Sequence, residues 1–437
     1  MANGHILAPQ SDWVMPTSFP NLEGAEKISV DLETCDPWLA TKGPGWCFPH
    51  GHVAGVSVAV RGMGSWYFPI QHAIGPNFSK NAVRDWLRRE LTRENQTKIM
   101  FNSVYDLGWL KWLGVDVRGP VHDPMIAAAL LDENRKLYNL DAISKDWLGT
   151  QKNEDLLYRA ALAFGLKDAK GEMWKLPAMY VGPYAEQDAN LNLELEDFTL
   201  ARMAEQDLLP IYDLECQQLP VLLAMRARGV RVDVEKAAQI GVELEKKEKE
   251  SLDRVLALTG EAVDIWSNNS LETIYTKLGV VFPRTAKGNP SFTKSWLESQ
   301  LDDVSKNIVG ARKANRARST FSSGLITDYA HNGRIHCQFN QLRSDDYGTV
   351  SGRYSSSTPN LQQIPSRDPE IGPLIRSIFL PEKGQRWAKH DYSQQEPRLT
   401  VHYAFQLDLP GSDAAVEYYR TDPKADYHQL VANMAGI

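Results

Sequence analysis

At 437 residues, 43% of them hydrophobic, the chain is long enough for two or three packed units. No window approaches the roughly 18 apolar residues of a membrane span and no basic-then-apolar leader opens the sequence, so a cytoplasmic protein without a membrane partner is expected. The formal net charge of −7 excludes a protein that coats nucleic acid over its whole surface but leaves room for a local basic strip, and four scattered cysteines without a C-x-x-C pair exclude a zinc ribbon or a disulfide framework.

In chain order, Lys27–Asp31, Val53–Val60 and a stretch around Trp66–Phe68 carry the β-branched and aromatic residues of strands. Ser79–Leu91 has the cap and periodicity of a helix, Lys98–Phe101 is strand-like, and Val104–Leu113 returns to helical spacing. A long helix is predicted from near Pro183, where proline suits the first turn, to about Asp207. Tyr212–Ala227 and Val234–Leu258 then read as helices, the second laced with Glu-Lys pairs. Beyond Gly333 come short β-rich pieces at Arg334–Asn340 and Ile378–Leu380, a Gly352-Arg353 turn, and a strand ending at Asp391. The expected fold class is an α/β domain over 1–207, a helical region over 208–332 and a partial α+β region over 333–437.

Asp31 and Glu33 lie two apart on a strand, so both carboxylates leave the same face and can converge on one hard cation. Alone, D-x-E reads more readily as the start of a solvated turn. Asp106, in Asn102-Ser103-Val104-Tyr105-Asp106, and Asp188, one helical turn after Tyr184, change that reading. Four carboxylates from separate elements make poor core residues but a natural cage for two divalent ions, the pair that phosphodiester hydrolysis uses. Asn102 reads equally as a substrate contact or a helix cap. Between Val304 and Thr320 stand Lys306, Arg312, Lys313, Arg316 and Arg318 with no acid, either a solvated helix face or a phosphate-binding strip.

Val-Asp-Leu-Glu-Thr at 30–34, Asn-Ser-Val-Tyr-Asp at 102–106 and Tyr-Ala-Glu-Gln-Asp at 184–188 resemble the three exonuclease motifs of the DnaQ-like superfamily. The resemblance implies that the α/β part, 1–207, is an exonuclease domain with a mixed, RNase H-like sheet, and that two Mg2+ or Mn2+ ions occupy the exonuclease site. Asp31, Glu33 and Asp188 would bind the nucleophile-side ion, Asp31 would be shared with the second, Asp106 would hold that one through water, and Tyr184 would position the attacking water.

Gly333-Arg334-Ile335-His336, Ser351-Gly352-Arg353-Tyr354-Ser355-Ser356 and Pro359 to Pro365 resemble the palm of family A, the bacterial polymerase I class of DNA polymerases, and Asp391 to Arg398 resembles its motif A. The resemblance implies that Asp391 binds the catalytic magnesium ions, that Glu396 excludes a ribose 2′-hydroxyl, and that Arg353, Gln394 and His428 contact DNA or nucleotide. For His428 a plain helix-surface position is the equal alternative. Met225 to Asp233 and Ala311 to Ser322 resemble parts of the thumb, which places Arg312, Arg316 and Arg318 on DNA phosphates. Gln395 and Pro397 stand where the family usually has aliphatic residues.

The fingers helix and the second palm carboxylate turn of the family follow motif A, and neither pattern occurs here. The expectation is therefore a phage-type 3′→5′ exodeoxyribonuclease acting on single-stranded 3′ ends and primer-template DNA. Polymerisation would need the fingers and the remaining palm, from a partner, a C-terminal fragment of a split polymerase, or from the rest of a chain of which this sequence is a truncation, two explanations the sequence does not separate; a non-catalytic DNA-binding module or a stand-alone exonuclease are the rival readings.

Overall fold

Strand β1 (Lys27–Cys35) organises the first part of the molecule. It pairs antiparallel with β2 (His52–Val60), which pairs antiparallel with β3 (Gly64–Pro69). On its other edge β1 runs parallel to β4 (Thr97–Ile99), followed by β5 (Val121–His122), giving a mixed sheet in the order β3-β2-β1-β4-β5. The computed structural model describes residues 8–48, 50–342, 348–434 and 436. It divides into two units, Met1–Leu380 and Pro381–Ile437. The continuous palm resemblance crosses 343–347, which lie outside the described residues.

Alternation along β1 sends Ile28, Val30 and Leu32 into the main apolar core with Val83, Trp86 and Leu87 of α1 (Lys80–Leu91). Ser29, Asp31 and Glu33 therefore face the other side. Their partners on β2 are Ala59, Ser57 and Gly55, small residues that let a helix approach closely. That helix is α6 (Ala178–Glu205, after α2 to α5 below), whose Ala189 and Leu193 pack on Ala59 and Ile99. It begins at Ala178, five residues before the expected start, so Pro183 lies inside it. Proline offers no amide to the Met179 carbonyl one turn back, and the Ser11 hydroxyl donates to that carbonyl instead at 2.6 Å.

Helices α2 (Ser103–Leu113) and α3 (Pro124–Leu131) share one capping residue, Asp123. Its Oδ2 accepts from the Ser103 amide at 2.7 Å and hydroxyl at 2.8 Å, and its Oδ1 accepts from the amides of Asn102 at 3.1 Å and Met125 at 2.9 Å. The sequence placed Asn102 as cap or substrate contact; it is the N-cap by position, left-handed with φ 59°, but its side chain makes no capping bond. Two shorter helices, α4 (Leu140–Leu148) and α5 (Asp155–Ala163), precede α6.

Helix α7 (Leu209–Arg228) does not leave this core: Tyr212, Cys216 and Leu219 are buried in it. The Tyr212 hydroxyl accepts from the Asp123 amide at 3.0 Å and donates to Glu196 at 3.3 Å. Beyond it, β6 (Val230–Val232) leads into α8 (Val234–Thr259), and α9 (Asn268–Lys277), α10 (Lys294–Ser299) and α11 (Asp303–Ala317) complete a helical region. A π-helical segment, Arg318–Leu325, continues α11. Small strands β7 (Ala330–His331), β8 (Arg334–Ile335), β9 (Gln338–Asn340), β10 (Ser355–Ser357) and β11 (Phe379–Leu380) follow, forming the sheet β11-β6-β8-β7 and the pair β10-β9.

The second unit is helical. Its α12 (Gln395–Gln406), α13 (Ser412–Thr421) and α14 (Tyr427–Met434) gather around Val401, Tyr419 and Ala425. The strand expected to end at Asp391 is absent: residues 385–391 are irregular. A strand exists only through a neighbour's amides and carbonyls, and no described strand pairs with this segment.

Removing Asp123 strips caps from two helices at once, so Asp123→Ala is expected to destabilise the first unit by roughly 2 to 4 kcal/mol. Chemical denaturation followed by tryptophan fluorescence measures this, and a loss smaller than a single ordinary cap would contradict the shared-cap reading.

Candidate active site

The parallel pairing of β1 with β4 stops at Ser29. Asp31 and Glu33 stand just past it, on the part of β1 that has outrun its neighbour, where a strand edge opens to ligand. A bulge between Glu33 and Thr34 then turns the chain. Gly55, opposite Glu33, leaves space for the Tyr67 ring: a Cβ there would lie 2.1 Å from the Tyr67 hydroxyl. That hydroxyl is held by His72 Nε2 at 2.7 Å. On α6, Tyr184 and Asp188 lie one turn apart and both are buried.

Carboxylate oxygens of Asp31, Glu33 and Asp188 all lie within 4.8 Å of one another. Glu33 is 7% exposed and Asp188 5%, and Glu33 Oε1 has no hydrogen-bond partner. Burial pushes Asp31 up to about 7, reinforced by the Asp188 charge and opposed by Lys152. Glu33 is raised by burial and then by Asp31 and Asp188. Burial lifts Asp188 to about 6, with Lys152 again pulling it down. Asp106, on the first turn of α2, is buried and outside the three-residue cluster; burial raises it most, then the Asp31 charge. Burial and the neighbouring carboxylates push the Tyr184 phenol far up, so it remains a neutral hydroxyl.

Lys152 is the residue that motif reading missed. It lies between α4 and α5, and its ammonium donates to Asp188 Oδ2 at 2.7 Å and the Tyr184 hydroxyl at 3.2 Å. Asp141 Oδ1 is 2.9 Å away and Lys170 bonds the other Asp141 oxygen at 3.1 Å. A lone lysine in a loop carries no spacing signal; only the tertiary fold brings it to Asp188.

Glu33, Tyr184, Asn102 and Lys170 line a cavity of about 520 Å³ whose far wall is Leu219, Leu222 and Arg226 of α7 and residues 338–341 around β9. Arg226 is buried, with one bond to the Pro44 carbonyl at 2.7 Å and two nitrogens, Nε and Nη1, unpartnered.

The other expected site residues fall elsewhere. Arg312 is turned inward, correcting its expected place on phosphate: its guanidinium donates to the carbonyls of Ile265 at 2.7 Å and Phe292 at 3.0 Å and stacks on Trp266. Arg318 pairs with Glu248 at 3.1 Å. Arg316 is exposed and, with Lys294 and Lys313, lines a shallow hollow of about 470 Å³. Arg353 is exposed on its turn. In the second unit Asp391, Glu396 and His428 are exposed. Gln394 is engaged internally, donating to the Ala425 carbonyl at 2.9 Å and accepting from the Tyr419 hydroxyl and the Tyr427 amide at 3.0 Å each, so its amide knits α12 to α13 and α14.

The first unit thus holds a mixed sheet with clustered acids past its parallel pair, followed by a helical region and short strands. Residues 234–435 match DNA polymerase family A and residues 49–203 match a 3′-5′ exonuclease family. The exonuclease match begins beyond the strand that carries Asp31 and Glu33. The chain is 39% identical to a DNA-directed DNA polymerase of Pseudomonas phage M6, with 98% of this chain and 67% of the relative covered. It is 30% identical to the DNA polymerase DpoZ of Acinetobacter phage SH-Ab 15497, covering 96% and 68%, and 27% identical to DNA polymerase I of Pseudomonas aeruginosa, covering 94% and 43%. A solved structure, the POL domain of Pol1 from M. smegmatis in complex with DNA primer-template and dNTP, shares the fold with a TM-score of 0.67 at 20% identity, covering 88% of this chain and 62% of that one. The chain belongs to DNA polymerase family A and carries an exonuclease domain. It spans about two thirds of the length of its phage relatives. Among the described residues no helix is long and apolar enough to cross a membrane.

Because Asp31 and Asp188 lie above the ordinary carboxylate value of about 4, the metal-free folded state holds more protons than the unfolded chain from about pH 4 to about pH 7. Its stability is therefore present at acid pH and lost as pH rises through that window. In EDTA the thermal midpoint is expected to fall between about pH 5 and about pH 8, less steeply in Asp31→Asn plus Glu33→Gln. A profile identical in both proteins would contradict this.

Proposed function

We propose that the chain removes nucleotides from the 3′ end of DNA, with Asp31, Glu33 and Asp188 holding one divalent ion and Asp31 and Asp106 serving a second. The observation that carries this reading is the cluster of three carboxylates, half-buried Asp31 with buried Glu33 and Asp188, and an orphaned Glu33 oxygen, a hard-oxygen donor set that fits Mg2+ or Mn2+. When bound, the two ions supply activation of the attacking water and neutralisation of charge on the departing oxygen. The chain's own groups do the rest. Tyr184, kept protonated, offers its hydroxyl to orient water, and the cavity beside Glu33 receives the terminal nucleotides. DNA as the polymer is supported by the polymerase relatives and by the primer-template in the neighbouring structure.

The division into an exonuclease part at 1–207, a thumb-like part at 208–332 and a partial palm at 333–437 belongs to the same proposal. Within it, Asp391 is a palm metal ligand, Glu396 the sugar gate, and Arg353 and His428 contacts to primer-template and nucleotide, all exposed and accessible to such partners. Nucleotide incorporation requires fingers and a second palm carboxylate, for which the relatives have room in the third of their length that this chain does not span. The exposed Trp387, Tyr392, Tyr403, Leu407 and Leu409 of the second unit support further chain carrying those parts, whether on a separate polypeptide or in continuation of this one. Among the thumb arginines, the exposed Arg316 is the phosphate contact of this proposal.

With Mg2+ or Mn2+ the chain is expected to shorten a labelled single-stranded oligonucleotide from its 3′ end faster than a matched duplex. Asp31→Ala plus Glu33→Ala is expected to lower that rate at least about a hundredfold, and Tyr184→Phe by about ten- to a hundredfold. Wild type inert with both ions would sink the exonuclease reading. Template-dependent incorporation by the chain alone would sink the requirement for a partner, which predicts synthesis only after addition of the last third of a phage relative. Arg316→Ala is expected to lower the salt slope of DNA affinity by about one unit, whereas Arg312→Ala lowers thermal stability instead; the reverse pattern would reassign the two.

A further inference from the structure

Lys152 lies in none of the exonuclease motifs, yet its ammonium is the cation nearest their carboxylates. Its side chain is only 4% exposed. An ammonium is tolerated out of water only where partners compensate it, and here the partners are the working groups of the site. Asp188 Oδ2 accepts from Lys152 at 2.7 Å, while Asp188 Oδ1 lies equally near but outside hydrogen-bond geometry and has no other partner. The ammonium also stands 4.3 Å over the Tyr184 ring and bonds its hydroxyl at 3.2 Å. One carboxylate, Asp188, thus serves both the ammonium and the proposed divalent ion.

Asp141 gives the ammonium a second seat. Its Oδ1 is 2.9 Å from Lys152 and its Oδ2 is bonded by Lys170, which also pairs with Glu154 at 2.6 Å. Movement of the ammonium from Asp188 toward Asp141 would need only a small change in distance. Asp141 is more exposed than Asp188, so water assists it there.

Resting on the two-ion reading above, we propose that Lys152 is the resident cation of the exonuclease cage: it positions Asp188 and Tyr184 and offsets carboxylate repulsion before a divalent ion arrives, then yields Asp188 to that ion and rests on Asp141. Two consequences follow from charge alone. Without Lys152 the metal-free site is left with uncompensated acids and loses stability. The metal-bound site loses a positive charge beside a doubly positive ion, and so binds that ion more tightly.

Thermal unfolding and Mn2+ titration of Lys152→Met, Lys152→Arg and wild type, with exposed Lys145→Met as the charge-matched control, test this. Expected for Lys152→Met are a midpoint several degrees below wild type in EDTA, a near wild-type midpoint at saturating Mn2+, and half-saturation at about a tenfold lower Mn2+ concentration. Lys152→Arg, which keeps the charge, should stay close to wild type in EDTA, and Lys145→Met should be unchanged throughout. Equal losses with and without Mn2+ would overturn the proposal in favour of plain packing, and no change in either condition would make Lys152 a bystander. A wild-type protein whose midpoint ignores Mn2+ would instead defeat the two-ion reading itself.

Discussion

Carboxylates gathered out of water repel one another and lose hydration, and Asp31, Glu33 and Asp188 bring three of them to within 4.8 Å. Nearly every local feature around them answers that constraint. β1 extends past β4 so that the acids reach an open edge instead of a closed ladder. The small Ser57 and Ala59 allow α6 to close over the same face, and Gly55 leaves room there for the Tyr67 ring, which excludes water and strengthens each charge's effect on the others. Pro183 sits just before Tyr184, and the carbonyl it leaves without a helical donor is satisfied from outside by Ser11, so the turn bearing phenol and carboxylate is tied down from the N-terminal side. The cluster is thus held by the sheet below, the helix above and one buried lysine beside it.

The cavity next to the cluster belongs to more than the exonuclease domain. Its far wall is built from α7 and from residues around β9, elements on the polymerase-like side of the expected boundary. Tyr212 binds this wall to the nuclease core through Asp123 and Glu196, and Asp123 in turn starts both α2, which carries Asp106, and α3. On the proposed reading, a strand entering the cavity would therefore meet side chains of the following region. Communication between nuclease and helical region runs through packed, hydrogen-bonded groups and not through a loose linker.

The acidic cluster was legible in the sequence because its residues recur at short, fixed spacings. D-x-E on a strand, Asp106 after Asn102, and the Tyr184–Asp188 turn each span a few residues, so local periodicity alone places their side chains. Groups that act across long separations were not legible. Lys152 reaches Asp188 from a loop, Asp123 caps a helix twenty residues upstream, and Ser11 serves a carbonyl on α6. The basic run shows the same limit within one helix: charge pattern treats Arg312 and Arg316 alike, but only the fold reveals that Arg312 is already committed to two carbonyls while Arg316 stands in water. The missing strand before Asp391 is of this kind too, since a strand depends on neighbours that its own residues do not specify.

The two acidic motifs, read with equal ease, differ physically. Around Asp31 the chain itself supplies desolvation, neighbouring carboxylates, a tyrosine and a compensating lysine, so the site is preorganised and its electrostatics are shifted before any ion arrives. Asp391 lies exposed in an irregular segment, flanked by Tyr392 at 82% exposure, while the neighbouring Gln394 amide is occupied in holding three helices together. A solvated carboxylate binds a divalent ion weakly, because water competes for both and no second ligand is fixed beside it. The proposed hydrolysis at the first site would need ions and a strand end, whereas the proposed transfer at the second would need in addition the groups that would bury Asp391 and set a second carboxylate next to it. The same residue type, aspartate on a family motif, is therefore half-buried among partners in one unit and solvated in the other.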